Sequence, residues 1–151
     1  MPELKEKLRG DLATSMKARD TLRTRTLRMV LTAITNEEVA GAAARELSDA
    51  EITTVLTRET RKRREAAEAF DAGGRPDKAD AERAEAGVIA EYLPAQLTDA
   101  ELTDLVAAAI TETGAAGPRA MGQLMKTVTP KVAGRAEGAR VAAEVRRQLG
   151  T

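Results

Sequence analysis

Four charged side chains fall where helices should be apolar. On a helical wheel Glu59 and Arg63 lie within the stripe of Ile52, Leu56 and Phe70, Arg23 lies beside Leu27, Val30 and Ile34, and Glu82 lies beside Ala86 and Ile89. Two acids and two bases thus point inward. Paired carboxylates do general acid-base work only where their surroundings push their pKa values apart, and two nearby guanidinium groups hold both ionised instead. The charges therefore read first as an interhelical ion-pair network, or as long side chains whose stems cover the core while their heads reach water. A polar pocket that takes a ligand or a partner's tail is the functional alternative.

The chain has no His and no Cys. That removes the commonest general base, thiolate nucleophiles, disulfides and most metal-ligand sets, so neither a cofactor nor a metal site is expected. No hydroxyl stands out with an activating base beside it, which disfavours covalent catalysis.

A second candidate is electrostatic. The 24 bases balance 24 acids overall, so the whole molecule exerts no net pull on nucleic acid. From Thr113 onward, however, Arg119, Lys126, Lys131, Arg135, Arg140, Arg146 and Arg147 face only Glu137 and Glu144, a local excess of five positive charges. In a final helix Arg140 and Arg147 share the side roughly opposite Val141, Val145 and Leu149, with Arg146 on the flank. Lys131 and Arg135 precede it on a loop where Gly134 and Gly138 permit close approach of a backbone. Such a surface could track RNA phosphates with salt-dependent, weakly specific affinity, although no aromatic stacking platform accompanies it. The run Arg61-Lys62-Arg63-Arg64, by contrast, spreads around a helix axis beside Glu59, Glu65 and Glu68 and reads as a solvated face.

The elements that must position these groups are all helical. Composition already favours helix, with one Phe, one Tyr, no Trp and abundant Ala. Leu4, Leu8, Leu12 and Met16 recur every four residues as one stripe. Asp20 caps a second helix that carries Leu27, Val30, Leu31 and Ile34 and runs to about Val39; residues 40–47 connect it onward. Ser48-Asp49-Ala50-Glu51 is a capping box opening a third helix, with Ile52, Val55, Leu56 and Phe70 inward, that Gly73-Gly74 ends. The fourth starts near Pro76 and carries Ala79, Ala86, Ile89, Ala90 and Leu93 until Pro94 stops it.

A second capping box, Thr98-Asp99-Ala100-Glu101, opens a helix with Leu102, Leu105, Val106, Ala109 and Ile110 that breaks at Gly114 and Gly117. A short helix from Pro118 to about Val128 follows, closed by Pro130, and the Val141, Val145, Leu149 stripe forms the last. The expected fold is all-α: a four-helix N-terminal subdomain, residues 1–94, and a three-helix tail, residues 95–151. No apolar run approaches the length of a membrane span, and the start of the chain is too polar for a secretory signal, so no membrane association and a cytoplasmic location are expected.

Several motifs in order carry a resemblance over essentially the whole chain. They are Leu27-Arg28-Met29, Arg61-Lys62-Arg63 through Phe70, Gly74-Arg75, Tyr92-Leu93-Pro94-Ala95-Gln96-Leu97, Met121-Gly122 and Pro130-Lys131-Val132-Ala133-Gly134-Arg135-Ala136. The combination resembles the YqeY-like proteins and the tail of the aminoacyl-tRNA amidotransferase B subunit. In the larger enzyme the tail helps hold tRNA while a separate core amidates a mischarged glutamyl or aspartyl group. That resemblance implies a tRNA-binding or amidotransferase-related accessory, with tRNA, an amidotransferase or a synthetase as partner. Its alternatives are an adaptor for a translation enzyme and, from the label the family often carries, a carbon-nitrogen ligase with glutamine as amido donor. The departure from the family pattern is Glu137, where an Asp would cap the last helix better.

Overall fold

A computed structural model describes residues 2–150. Among them are seven α-helices and no strand: α1 (Glu3–Lys17), α2 (Thr21–Glu38), α3 (Asp49–Ala72), α4 (Pro76–Ala90), α5 (Asp99–Thr113), α6 (Met121–Val132) and α7 (Gly138–Leu149), with a 3-10 turn at Pro118–Ala120 leading into α6. They group into two compact units, one ending at Leu93 and one beginning at Pro94.

The helix starts follow local chemistry. Asp20 accepts from the Arg23 amide at 3.0 Å, and both capping boxes form, Ser48 with Glu51 and Thr98 with Glu101. In each box the hydroxyl and the carboxylate satisfy amides that the first turn leaves without a partner. In the first unit Leu8, Leu27, Ile34, Leu47, Ile52, Leu56 and Ile89 form the fully buried centre. Lys5 reinforces it from α1, its ammonium 2.7 Å from Glu38 at the end of α2.

Three details depart from the expected packing. Met16 closes the α1 stripe outside the core and is 50% exposed, because four-residue steps drift by about 40° each around the axis. Phe70 is only half-buried, and the Lys78 ammonium lies over its ring at 5.6 Å. The α4 helix ends at Ala90, short of Pro94, in tight turns in which the Tyr92 and Leu93 amides donate to Ile89 and Ala90.

The second unit is built around Leu102, Val106, Ala109, Leu124, Val128, Val132, Val141 and Val145. Here Pro130 does not end α6, which continues through it to Val132. Val132 is 4% exposed within this core, and burying such a side chain stabilises by about 1.5–3 kcal/mol, comparable with what the proline disrupts. The helix stops instead at Ala133 and Gly134, whose φ values are 26° and 80°.

Candidate functional site

The two positive φ values after α6 turn the chain back onto the segment that enters α5. There the Leu97 amide donates to the Arg135 carbonyl at 2.8 Å. The Arg135 Nε donates to the Ala95 carbonyl at 3.1 Å, and the Gln96 side-chain amide donates to the Gly134 carbonyl at 3.0 Å and to the Pro94 carbonyl at 2.9 Å. Segments about 38 residues apart are thereby tied into one backbone clamp, with buried Leu97 as its apolar root. Glu137 then takes the N-cap position of α7 without a side-chain capping bond, as expected of an acid too long to reach the first-turn amides.

The basic residues of this unit meet acids brought by α5. Arg140 pairs with Asp99 at 2.8 Å, Arg135 approaches Glu101 at 3.8 Å, and Lys131 pairs with Glu112 at 2.7 Å. Arg135 and Arg140 therefore come together at the start of α5, whereas Lys131 is drawn toward its far end, about 20 Å along the axis. On α7 Arg147 pairs with Glu144 at 2.5 Å, and Arg146 is exposed. Counted from Pro94, seven bases face six acids. The excess read from Thr113 onward is largely cancelled by α5, through pairs 19 and 41 residues apart.

The pairing lowers the pKa of two of these acids. The Lys131 ammonium holds the Glu112 carboxyl below its usual range. Glu144 is held at about 2, first by Arg147, then by Gln148 and against some burial, with Thr103 also donating. Glu144 accepts from Thr103 at 3.1 Å while Gln148 donates to the Thr103 carbonyl at 2.9 Å, so this carboxylate also fastens α7 to α5.

The inward charges of the first unit form a different cluster from the one expected. Arg63, 4% exposed, donates from Nε to Glu85 at 3.1 Å and from Nη1 to the Glu59 carboxylate at 3.1 Å and the Glu59 carbonyl at 3.0 Å. Arg25 reaches Glu85 at 3.0 Å, and Lys62 reaches Glu59 at 3.3 Å. Arg23 is not a member: it pairs with Glu91 at 2.6 Å, beyond the end of α4, and lies 3.8 Å from Asp20. Glu82 is half-buried outside the network. The wheel selected Glu82 from its closeness to Ala86 and Ile89; Glu82 lies about 20° from Ile89 around the axis, and Glu85 about 40° from it on the opposite side, toward buried Val88. Glu85 is the residue that sequence reasoning missed, because angle around the axis does not separate it from Glu82 and only the packing of α3 against α4 brings it to Arg63. The geometry is that of an ion-pair network tying α3 to α4.

No curated protein matches the chain. A family model described as Yqey-like protein matches residues 5–149, nearly all of it, and the chain belongs to that family.

Proposed function

We propose that this YqeY-like chain is a non-catalytic accessory of tRNA handling whose C-terminal unit, residues 95–151, binds tRNA as the tail of the amidotransferase B subunit does. The observation that supports it best is the clamp between Ala95–Leu97 and Gly134–Arg135, which joins two of the resembling motifs and holds Arg135 at the start of α5, where Arg140 pairs with Asp99. A rigid backbone edge with two guanidinium groups suits phosphate oxygens, which arginine binds in a fork. Lys131, Arg146 and Arg147 extend the contact.

The acids of α5 set the strength of this interaction. Exposed ion pairs are worth only about 0–1 kcal/mol each, so a phosphate can replace Asp99 or Glu101 at small cost. The carboxylates stay nearby and repel the backbone, so binding is weak and discriminating rather than a general affinity for polyanions. Reversing Arg140 and Arg147 to Glu should abolish salt-sensitive retention of tRNA. Retention equal to the parent's would remove this face as the site.

The carbon-nitrogen ligase reading with glutamine as amido donor has less support, because Glu144, the carboxylate held at about 2, is engaged by Arg147 and Gln148, and among the described residues no nucleophile stands beside a general base. Glutamine-dependent ammonia release by the pure protein, lost in a point variant, would restore it. The adaptor reading, in which residues 1–94 contact a translation enzyme, draws support from an open groove in the first unit.

A further inference from the structure

Two adjoining hollows run along the outer side of α2. The first, about 490 Å³, lies against Met16, Arg19, Arg25, Arg28 and Met29; the second, about 610 Å³, shares Arg28 and Met29 and continues to Ala40 beside Arg58, Glu59 and Lys62 of α3. Together they follow α2 for roughly 30 Å, the length of a five-turn helix.

The floor of the first hollow is apolar and adaptable. Met16 and Met29 are 50% and 43% exposed, two of the most exposed large hydrophobic side chains among the described residues. Their sulfurs rest against guanidinium groups, Met16 against Arg28 at 3.7 Å and Met29 against Arg63 at 3.8 Å. Unbranched thioether side chains left on a surface suit apolar partners of variable shape.

The rim is cationic. No carboxylate lines the first hollow, and Arg19 and Arg28 have no acid within ion-pair distance among the described residues, whereas Arg25 is shared with Glu85. In the second hollow the charges are already matched, Arg58 with Glu37 at 3.5 Å and Lys62 with Glu59 at 3.3 Å. Positive charge without a partner is thus confined to the methionine end.

Arg19 also occupies a backbone position that suits another residue better. Its φ is 56°, and the Arg19 and Asp20 amides close the end of α1 onto Met16 and Ser15. Glycine is the favoured residue at such a helix end, because a Cβ is strained there. Arginine at this position places a guanidinium on the rim at the expense of stability.

We propose that this groove docks an amphipathic helix of a partner protein, with apolar side chains on Met16 and Met29 and carboxylates on Arg19, Arg25 and Arg28. The apolar methionine floor favours this occupant over RNA, whose phosphates would engage the cationic rim and leave that floor uncovered. The inference concerns the first unit alone and does not depend on the tRNA reading.

The test is NMR of the full chain labelled with ¹³C at the methionine methyls, with Met121 and Met125 of the second unit as internal controls. The probe is a synthetic helical peptide of about 20 residues, long enough to span the groove, with leucines on one face flanked by glutamates. A scrambled peptide of the same composition and bulk tRNA are the comparisons. The expected result is saturable shifts of Met16 and Met29 alone, weaker by roughly tenfold for the scramble and for the Arg19→Glu/Arg28→Glu double variant. Arg19→Gly should raise Tm while weakening the peptide. Equal shifts from both peptides, unchanged affinity in the double variant, or shifts of Met16 and Met29 with tRNA but not the peptide would overturn the proposal.

Discussion

Replacing Arg63 by methionine keeps the bulk of the side chain and removes its charge, which isolates the network of the first unit. Two carboxylates, Glu59 and Glu85, each 8% exposed, would lose the guanidinium that now donates to both. Breaking a buried pair by deleting one partner costs about 3–5 kcal/mol, because a desolvated charge is left uncompensated. Lys62 and Arg25 still reach Glu59 and Glu85 from the surface, at 3.3 and 3.0 Å. The loss should therefore sit at the lower end, about 3 kcal/mol, a large share of the roughly 5–15 kcal/mol that holds a domain folded. Urea titration followed by circular dichroism reads it as a lower midpoint at unchanged slope. The Arg63→Met/Glu85→Met double variant should then cost less than the two single changes added together, by at least about 1 kcal/mol. A loss below about 1 kcal/mol for Arg63→Met, or strict additivity in the double, would refute the ion-network reading and favour a solvated pocket.

Two further outcomes follow from single residues. Glu144, held at about 2 in the folded chain against an ordinary 4.5, contributes stability that is full above pH 4.5 and lost as pH falls toward 2; Glu144→Gln should flatten the urea midpoint across that window, and parallel profiles for parent and variant would count against it. Tyr92, whose hydroxyl donates to Asp11 at 2.5 Å, is pushed upward by burial and then by that carboxylate, so its contribution is full below pH 10 and declines at more alkaline pH. Tyr92→Phe should cost about 1.5 kcal/mol at neutral pH and remove the alkaline decline, measured by the same titration.

What could be read from the sequence was local chemistry. Ser48 with Glu51 and Thr98 with Glu101 are partners three residues apart, so their spacing alone specifies the cap, and both form. Glycine ends at Gly73 and Gly114 follow similarly. Pro130 misled because its local penalty is offset by Val132, whose burial depends on the rest of the core. The charge pattern misled for the same reason. Lys131 and Arg140 look unopposed along the chain, and only folding brings Glu112 and Asp99 to them. The buried network was half legible: Glu59 and Arg63 are one turn apart on α3, but their partner on α4 is decided by how two helices pack.

The central proposal is tested most directly by binding of the purified full chain to total tRNA across a salt series, with an unrelated RNA and a DNA duplex beside it. Engagement of Arg135 and Arg140 alone implies a slope of log affinity against log salt of about −1.4, and engagement of all five bases a slope of about −3.5, at roughly −0.7 per phosphate. Affinity for tRNA that exceeds both controls with a slope in that range is the predicted result. No binding, or equal binding to all three nucleic acids, would contradict it.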